Sequence, residues 1–225
     1  MILITLILSL VPGFAWLFFY LQEDLHPEPK RLLALTFLAG MASAPFALVA
    51  EIFIGPIING LLTAGAAPLY LITLGFIEEI TKFCAAYLAV RKNPAFDEPV
   101  DAMIYMVVAA MGFATVENIG AIAGGKFSQT ALLSSVFTVT SIRLVGATLL
   151  HSLASALLGY YWAISIREFG SKKYLVFGIL AATVLHAAFN YFIIIFGNIM
   201  YAIIFLTVVG FFVLGDFEKL KNKVI

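Results

Sequence analysis

The chain has 225 residues, of which 63% are hydrophobic and 12% charged, and its formal net charge is zero. A mean hydropathy of +1.06 excludes a soluble globular domain of this size. No basic block stands apart from the apolar segments, so the sequence predicts no nucleic-acid partner. The single cysteine, Cys84, cannot form an intrachain disulfide.

Apolar segments long enough to cross a bilayer, which takes about 20 residues, dominate the chain. We identify seven of them, at 1–21, 32–54, 68–90, 101–124, 142–166, 174–197 and 198–215. The stretch 130–141 is too short to span and is rich in Ser and Thr, so it is predicted to be interfacial or re-entrant. The sequence therefore predicts an all-α polytopic membrane bundle of about seven helices, with 1–225 as a single domain.

The distribution of Lys and Arg predicts how the bundle is oriented. Ten of these residues fall on one side if the helices alternate, against Lys126 alone on the other. The ten are Lys30, Arg31, Arg91, Lys92, Arg167, Lys172, Lys173, Lys219, Lys221 and Lys223. This predicts an outside amino terminus and a cytoplasmic carboxyl terminus. No basic residue precedes the first apolar run, which is therefore expected to be retained as a helix.

Ionisable side chains within the apolar segments are the strongest functional signal, because each costs about 2.5 to 3.5 kcal/mol at the centre of a membrane helix. They are Glu51, Glu78, Glu79, Lys82, Glu117, Arg143, His151 and His186, and Asn190 joins them. A rise of about 1.5 Å per residue places most of them at middle to outer depth, where they are predicted to form one site. Glu51 is instead expected to reach the interface near the end of its helix.

Local spacing indicates polar faces on two of these helices. Lys82 follows Glu79 by three residues and Glu78 by four, so it can neutralise either carboxylate. His186 and Asn190 are four residues apart and share a face. An ion pair and a hydrogen-bonding pair between helices can also be purely structural.

The cluster is compatible with several chemistries. No His-Glu-x-x-His or Gly-x-Ser-x-Gly motif occurs. A buried glutamate can take a proton from water while His186 and Asn190 stabilise an oxyanion. Alternatively, Glu79, Glu117, His151 and His186 can hold a zinc ion. A proton-coupled transporter, which also uses Glu and His chains, and a non-catalytic scaffold for partner helices are the other classes of function.

Several motifs, in matching order from about 75 to 195, carry a family resemblance. They are Glu78-Glu79-Ile-Thr-Lys82, Phe96-Asp97-Glu98-Pro99, Gly112-Phe113-Ala-Thr-Val-Glu117-Asn118, Arg143 with His151, Gly159-Tyr160-Tyr161, and His186-Ala-Ala-Phe-Asn190. They closely resemble the PrsW family of intramembrane proteases, which is related to the type II CAAX-prenyl proteases. Those CAAX relatives have histidine where this chain has Glu117.

The resemblance implies roles for these residues and a class of substrate. Glu78 and Glu79 would be the catalytic glutamates, Glu117, His151 and His186 the other site residues, Asn190 the oxyanion donor, and Lys82 and Arg143 supporting residues. The catalytic helices would lie within about 68–197. Cleavage of a single-span membrane protein on its extracytoplasmic side is implied, as when PrsW clips an anti-sigma factor, in the plasma membrane of a prokaryotic cell. Which of the two adjacent glutamates is the base stays open.

Overall fold

The computed structural model describes residues 2–61, 67–125, 127, 132–168 and 170–221. Within these ranges the chain forms eight α-helices and a short 3-10 turn, with no strand. The helices are α1 (Ile2–Tyr20), α2 (Lys30–Leu61), α3 (Ala67–Val90), α4 (Pro99–Ala123), α5 (Leu132–Val145), α6 (Ala147–Arg167), α7 (Lys172–Phe196) and α8 (Ile199–Lys221). The predicted all-α architecture is confirmed.

Six segments of the described chain are long and apolar enough to cross a membrane. They are Leu6–Glu23, Lys30–Ile58, Pro99–Ala123, Leu132–Arg167, Lys172–Ile194 and Ile199–Lys221. The other predicted span corresponds to α3, a helix of 24 residues that packs against α2 and α7. It differs from the six by its central charged residues, Glu78, Glu79 and Lys82.

The region before α6 differs from the prediction. A fifth span was predicted to start at 142, but the helix breaks at Gly146, whose φ of −113° and ψ of −102° are not helical. The Ser- and Thr-rich stretch predicted at 130–141 forms most of α5, while its first two residues lie outside the described ranges. Arg143 consequently lies in the last turn of α5 and not within α6.

Helix α4 forms the centre of the bundle and is buried continuously from Val100 to Thr115. It crosses α2 at Gly40 and Gly112. A Cβ atom on Gly112 would lie 2.0 Å from the carbonyl oxygen of Phe37, and one on Gly40 would lie 2.0 Å from that of Ala109. Only glycine permits so close a backbone contact, and this contact holds α2 beside the part of α4 that carries Glu117.

A group of acidic residues lies where the loop between α1 and α2 contacts the start of α4. We call Asp24, Glu28, Asp101 and Tyr105 the loop cluster. The Tyr105 hydroxyl donates to Glu28 Oε2, and a side-chain hydrogen bond joins the carboxyl groups of Glu28 and Asp101. Burial raises the pKa of Glu28 and of Asp24 above their usual range.

Asp101 also caps the start of α4, which begins at Pro99. Its Oδ2 atom accepts the backbone N–H groups of Asp97 at 2.9 Å and Glu98 at 2.8 Å. Glu98 completes a capping box with Asp101, and Pro99 occupies the first turn. Helix capping therefore accounts for the acidic residues before α4.

Candidate active site

Five helices bring polar side chains together at similar depth. The residues are Glu78, Glu79 and Lys82 of α3, Glu117 of α4, Arg143 of α5, His151 and Ser155 of α6, and His186 of α7, and we call them the site network. From the helix bounds, Glu78, His186, His151 and Glu117 lie about 18 to 27 Å from the predicted cytoplasmic ends of their helices. That is the middle-to-outer part of a hydrocarbon core about 30 Å thick.

Glu79 is fully buried and fully paired. Lys82 Nζ lies 2.5 Å from its Oε1 atom, and His186 Nδ1 lies 2.8 Å from the same oxygen. Ser155 donates to Oε2 at 3.3 Å. Since both oxygens are engaged, Glu79 fixes the positions of Lys82 and His186.

His151 links Lys82 to Glu117. Its Nδ1 atom lies 2.9 Å from Lys82 Nζ, and its Nε2 atom lies 2.8 Å from Glu117 Oε2. A lysine ammonium can only donate, so this geometry assigns Nδ1 as acceptor and Nε2–H as donor to Glu117.

Arg143 completes the far side of the network. Its NH2 group lies 3.1 Å from Glu117 Oε2, and its Nε–H donates to Asn118 Oδ1. Glu117 is thereby held between an imidazole and a guanidinium.

Glu78 differs from the other two carboxylates. Its Oε1 atom lies 3.6 Å from His186 Nε2, and its Oε2 atom lies 3.8 Å from His151 Nδ1. Oε2 is buried and has no hydrogen-bond partner among the described residues. Neighbouring side chains on a helix point about 100° apart, which is why Glu79 turns to Lys82 while Glu78 faces the two imidazoles.

Glu78, His151 and His186 fit a metal ion. One ligand atom from each lies within 4.8 Å of the others. Glu78 Oε1 lies 3.6 Å from His186 Nε2, and Glu78 Oε2 lies 3.8 Å from His151 Nδ1, so each imidazole faces a different oxygen of the carboxylate. Two histidines and one glutamate are a ligand set that zinc uses in catalytic sites. The hydrogen bond from His186 Nδ1 to Glu79 leaves Nε2 for the ion, a common arrangement in zinc sites. Binding through His151 Nδ1 requires Lys82 to give up its hydrogen bond there.

This ligand set differs from the predicted one. The sequence left open whether Glu79 and Glu117, together with the two histidines, hold a zinc ion. In the structure both oxygens of Glu79 are engaged, by Lys82, His186 and Ser155, and Oε2 of Glu117 is engaged by Arg143 and His151. Glu79 and Glu117 therefore hold the two histidines in place, and Glu78 is the carboxylate that could bind the metal together with His151 and His186.

Two predicted residues are not part of the network. Asn190 is half-buried one turn beyond His186 and makes no hydrogen bond with the described residues. Glu51 was expected to reach the interface, but it lines a cleft together with Glu117 and Arg143. Conversely, Ser155 belongs to the network but was not among the predicted site residues. Its position four residues after His151, on the same face of α6, was the signal that it could reach the site.

Comparison with known proteins gives one consistent result. A family model described as "PrsW family intramembrane metalloprotease" matches residues 28–214. The "Protease PrsW" of Geobacillus kaustophilus is 29% identical over 189 residues, covering 81% of this chain and 76% of that protein. The "Protease PrsW" of Bacillus subtilis is 24% identical over 220 residues, covering 95% and 94%. No solved structure matches significantly.

Proposed function

The chain belongs to the PrsW family of intramembrane metalloproteases and is a membrane-embedded peptidase, and from this premise we propose a role for each site residue. It hydrolyses a peptide bond of a single-span membrane protein at middle-to-outer depth, using a water molecule that Glu78 activates. A single observation carries this proposal. Within a network of paired charges, the buried Oε2 atom of Glu78 has no hydrogen-bond partner among the described residues, and both its oxygens face imidazole nitrogens.

The proposed chemistry follows from this arrangement. Water adds to the carbonyl carbon of the scissile bond, and its proton passes to the Glu78 carboxylate. The carbon–nitrogen bond then breaks as that proton moves to the departing amine nitrogen. Asn190, whose amide makes no hydrogen bond with the described residues, donates to the oxyanion that forms when water adds.

The paired residues have a positioning role. Glu79 holds His186, and Glu117 holds His151, so that both imidazoles keep their orientation toward Glu78. Lys82 bridges the two halves through Glu79 and His151. Because these contacts leave few unpaired charges at this depth, the site can be kept in an apolar surrounding.

A divalent metal ion fits the same site and would be held by Glu78, His151 and His186. When bound, such an ion supplies Lewis-acid activation of water and of the substrate carbonyl. Zinc is the ion we propose, because two histidines and one glutamate are one of its catalytic ligand sets. With zinc bound, Glu78 would be a ligand and not the base that takes the proton from water, whereas Glu79 and Glu117 would hold the imidazoles as they do without it.

We further propose that the substrate is a single-span protein of the anti-sigma factor class, cut on its extracytoplasmic side. The depth of the site network supports this side of the membrane, given the predicted orientation.

The test is cleavage of a single-span substrate by the purified, full-length chain in liposomes. Glu78→Gln keeps the size of the side chain but cannot accept the proton, so we expect the rate to fall by at least about 100-fold. Glu168→Gln, in an exposed position near the end of α6, is the matched control and should cleave as the wild type does. Undiminished cleavage by Glu78→Gln would refute the assignment.

Metal analysis of the same preparations separates the two forms of the mechanism. If zinc is required, the wild type contains it, Glu78→Gln contains less, and a chelator removes activity that added zinc restores. Full activity in metal-free protein would exclude the zinc form and leave the glutamate mechanism.

A further inference from the structure

A cleft of about 440 Å³ lies between α2, α4 and the end of α5 and adjoins the site network. Its walls are largely small and apolar, with Ala44, Ala47 and Gly120 among them. Glu117 and Arg143 form its polar inner end. Since Glu117 accepts the hydrogen bond of His151 Nε2 at 2.8 Å, a molecule in the cleft would lie beside the proposed catalytic centre.

The charges in this cleft are not balanced. Arg143 is engaged by Glu117 and Asn118, and Glu117 is shared between Arg143 and His151. Glu51, which lines the same cleft, is half-buried. Across the described ranges it has no ion pair or hydrogen bond with Lys, Arg or His.

An unpaired carboxylate in this position is unfavourable unless something neutralises it. A half-buried charge in a membrane span normally finds a partner or extends to the interface. Glu51 has no ion-pair partner among the described residues, and it lines the cleft together with the Glu117 carboxylate. A positively charged group that enters the cleft would supply the partner that Glu51 lacks among the described residues.

We propose that this cleft binds the extended segment of the substrate next to the scissile bond, and that Glu51 selects a segment carrying a lysine or arginine. This inference rests on the proposed proteolytic function. Peptide carbonyl groups within a helix are hydrogen-bonded, so the segment that is cut has to be extended or unwound. A volume of about 440 Å³ is within the range of binding sites that enclose most of a ligand.

A requirement for a basic residue would make the protease selective. Lys and Arg concentrate in the cytoplasmic loops of membrane proteins, so they are uncommon at the outer end of a span. On the predicted orientation, Glu51 lies toward that outer end. A site that demands a cation there would reject most single-span proteins.

The experiment combines substrate and enzyme variants in liposomes. We start from a single-span substrate whose cleavage site has been mapped. Each substrate variant carries Lys, Gln or Glu at one position within about six residues of the cleaved bond, and the series covers every such position. At one position we expect the wild type to cleave the Lys substrate with a kcat/KM about tenfold or more above that for the Glu substrate. Glu51→Gln should remove this discrimination, mainly through KM, and Glu51→Lys should reverse it.

Matched controls and outcomes keep the inference separate from the proposed function. Glu168→Lys, a charge reversal in an exposed position near the end of α6, should leave the preference unchanged. The inference is overturned if the wild type cleaves the Lys and Glu substrates equally at every position, or if Glu51→Gln keeps the preference. A wild type that cleaves no substrate would remove the proposed function and this inference with it. If Glu51→Lys does not fold, the Gln variant and the substrate series still decide the question.

Discussion

The site network and the loop cluster both gather buried carboxyl groups, but they neutralise them in different ways. In the site network, Lys82, Arg143 and the imidazoles lie between 2.5 and 3.1 Å from Glu79 and Glu117. In the loop cluster no Lys or Arg pairs with Asp24, Glu28 or Asp101 within the described ranges. There the Tyr105 hydroxyl and backbone N–H groups engage the carboxyls, and burial raises the pKa of Glu28 and of Asp24.

The difference separates a fixed charge pattern from one that responds to pH. In the site network, Glu79 and Glu117 are held by cationic side chains and imidazoles, whereas Glu78 has no partner at hydrogen-bond distance among the described residues. In the loop cluster, burial raises the pKa of Glu28 and of Asp24, so its stability depends on the pH of the solvent. Three predictions test this comparison, from the largest expected effect to the smallest.

Removing the cation of the site network should be the most damaging change. Lys82→Met leaves Glu79 buried without its ammonium partner, and we expect a loss of about 3 to 5 kcal/mol in the free energy of unfolding. Denaturant unfolding in detergent measures it. The double variant Lys82→Met with Glu79→Gln should recover much of that loss.

Lys173→Met is the control for this change, because Lys173 is exposed at the start of α7. If Lys82→Met is as stable as Lys173→Met, the ion pair is not the source of stability and the first half of the comparison fails.

Removing a neutral donor from the loop cluster should have a smaller effect. Tyr105→Phe leaves the buried Glu28 carboxyl without the hydroxyl that donates to it, at an expected cost of about 1 to 3 kcal/mol. The same unfolding measurement applies. Tyr201→Phe, on an exposed face of α8, should change little, and equal effects in the two variants would contradict the role given to Tyr105.

The dependence of stability on pH should be the most modest effect. The ordinary pKa is 4.5 for Glu28 and 3.8 for Asp24, and burial raises both in the folded chain. The folded state therefore holds protons that the unfolded state releases, so this contribution is fully present below about pH 4 and declines as pH rises through the raised pKa values. The midpoint of unfolding, measured from about pH 4 to 7, should fall less steeply in Glu28→Gln than in the wild type.

If the unfolding midpoint depends on pH with the same slope in Glu28→Gln and in the wild type, Glu28 does not titrate between about pH 4 and 7. Proteolytic activity at a fixed pH should be unaffected by Glu28→Gln, since the loop cluster is not part of the site network.

Much of this architecture could be predicted from local sequence. The length of an apolar run predicts a membrane helix, and helix geometry predicts that residues three or four apart share a face. The partnership of Lys82 with one of two glutamates was predictable, but the choice of Glu79 was not. It depends on Ser155 and His186, which are distant in sequence and reach Glu79 only after α6 and α7 have packed.

Two other differences have the same origin. The break at Gly146 lies within the predicted span 142–166, and glycine is common in unbroken membrane helices as well as at breaks, so its presence alone does not predict a break. The position of Glu51 beside Glu117 and Arg143 depends on how α2 packs against α4 and α5. Both the helix break and the position of Glu51 result from tertiary packing, which a hydropathy profile does not describe.

The short distance between Glu79 and Lys82 also has a consequence for the order of synthesis. Helix α3 is made before α6 and α7, so His151 and His186 do not yet exist when it meets the bilayer. The ion pair within α3, at 2.5 Å, requires no other helix and leaves Glu78 as the one unbalanced charge of the three near its centre. Helix α3 thus enters the membrane with the counter-ion of Glu79 already in place. His151 and His186 pack against it afterwards.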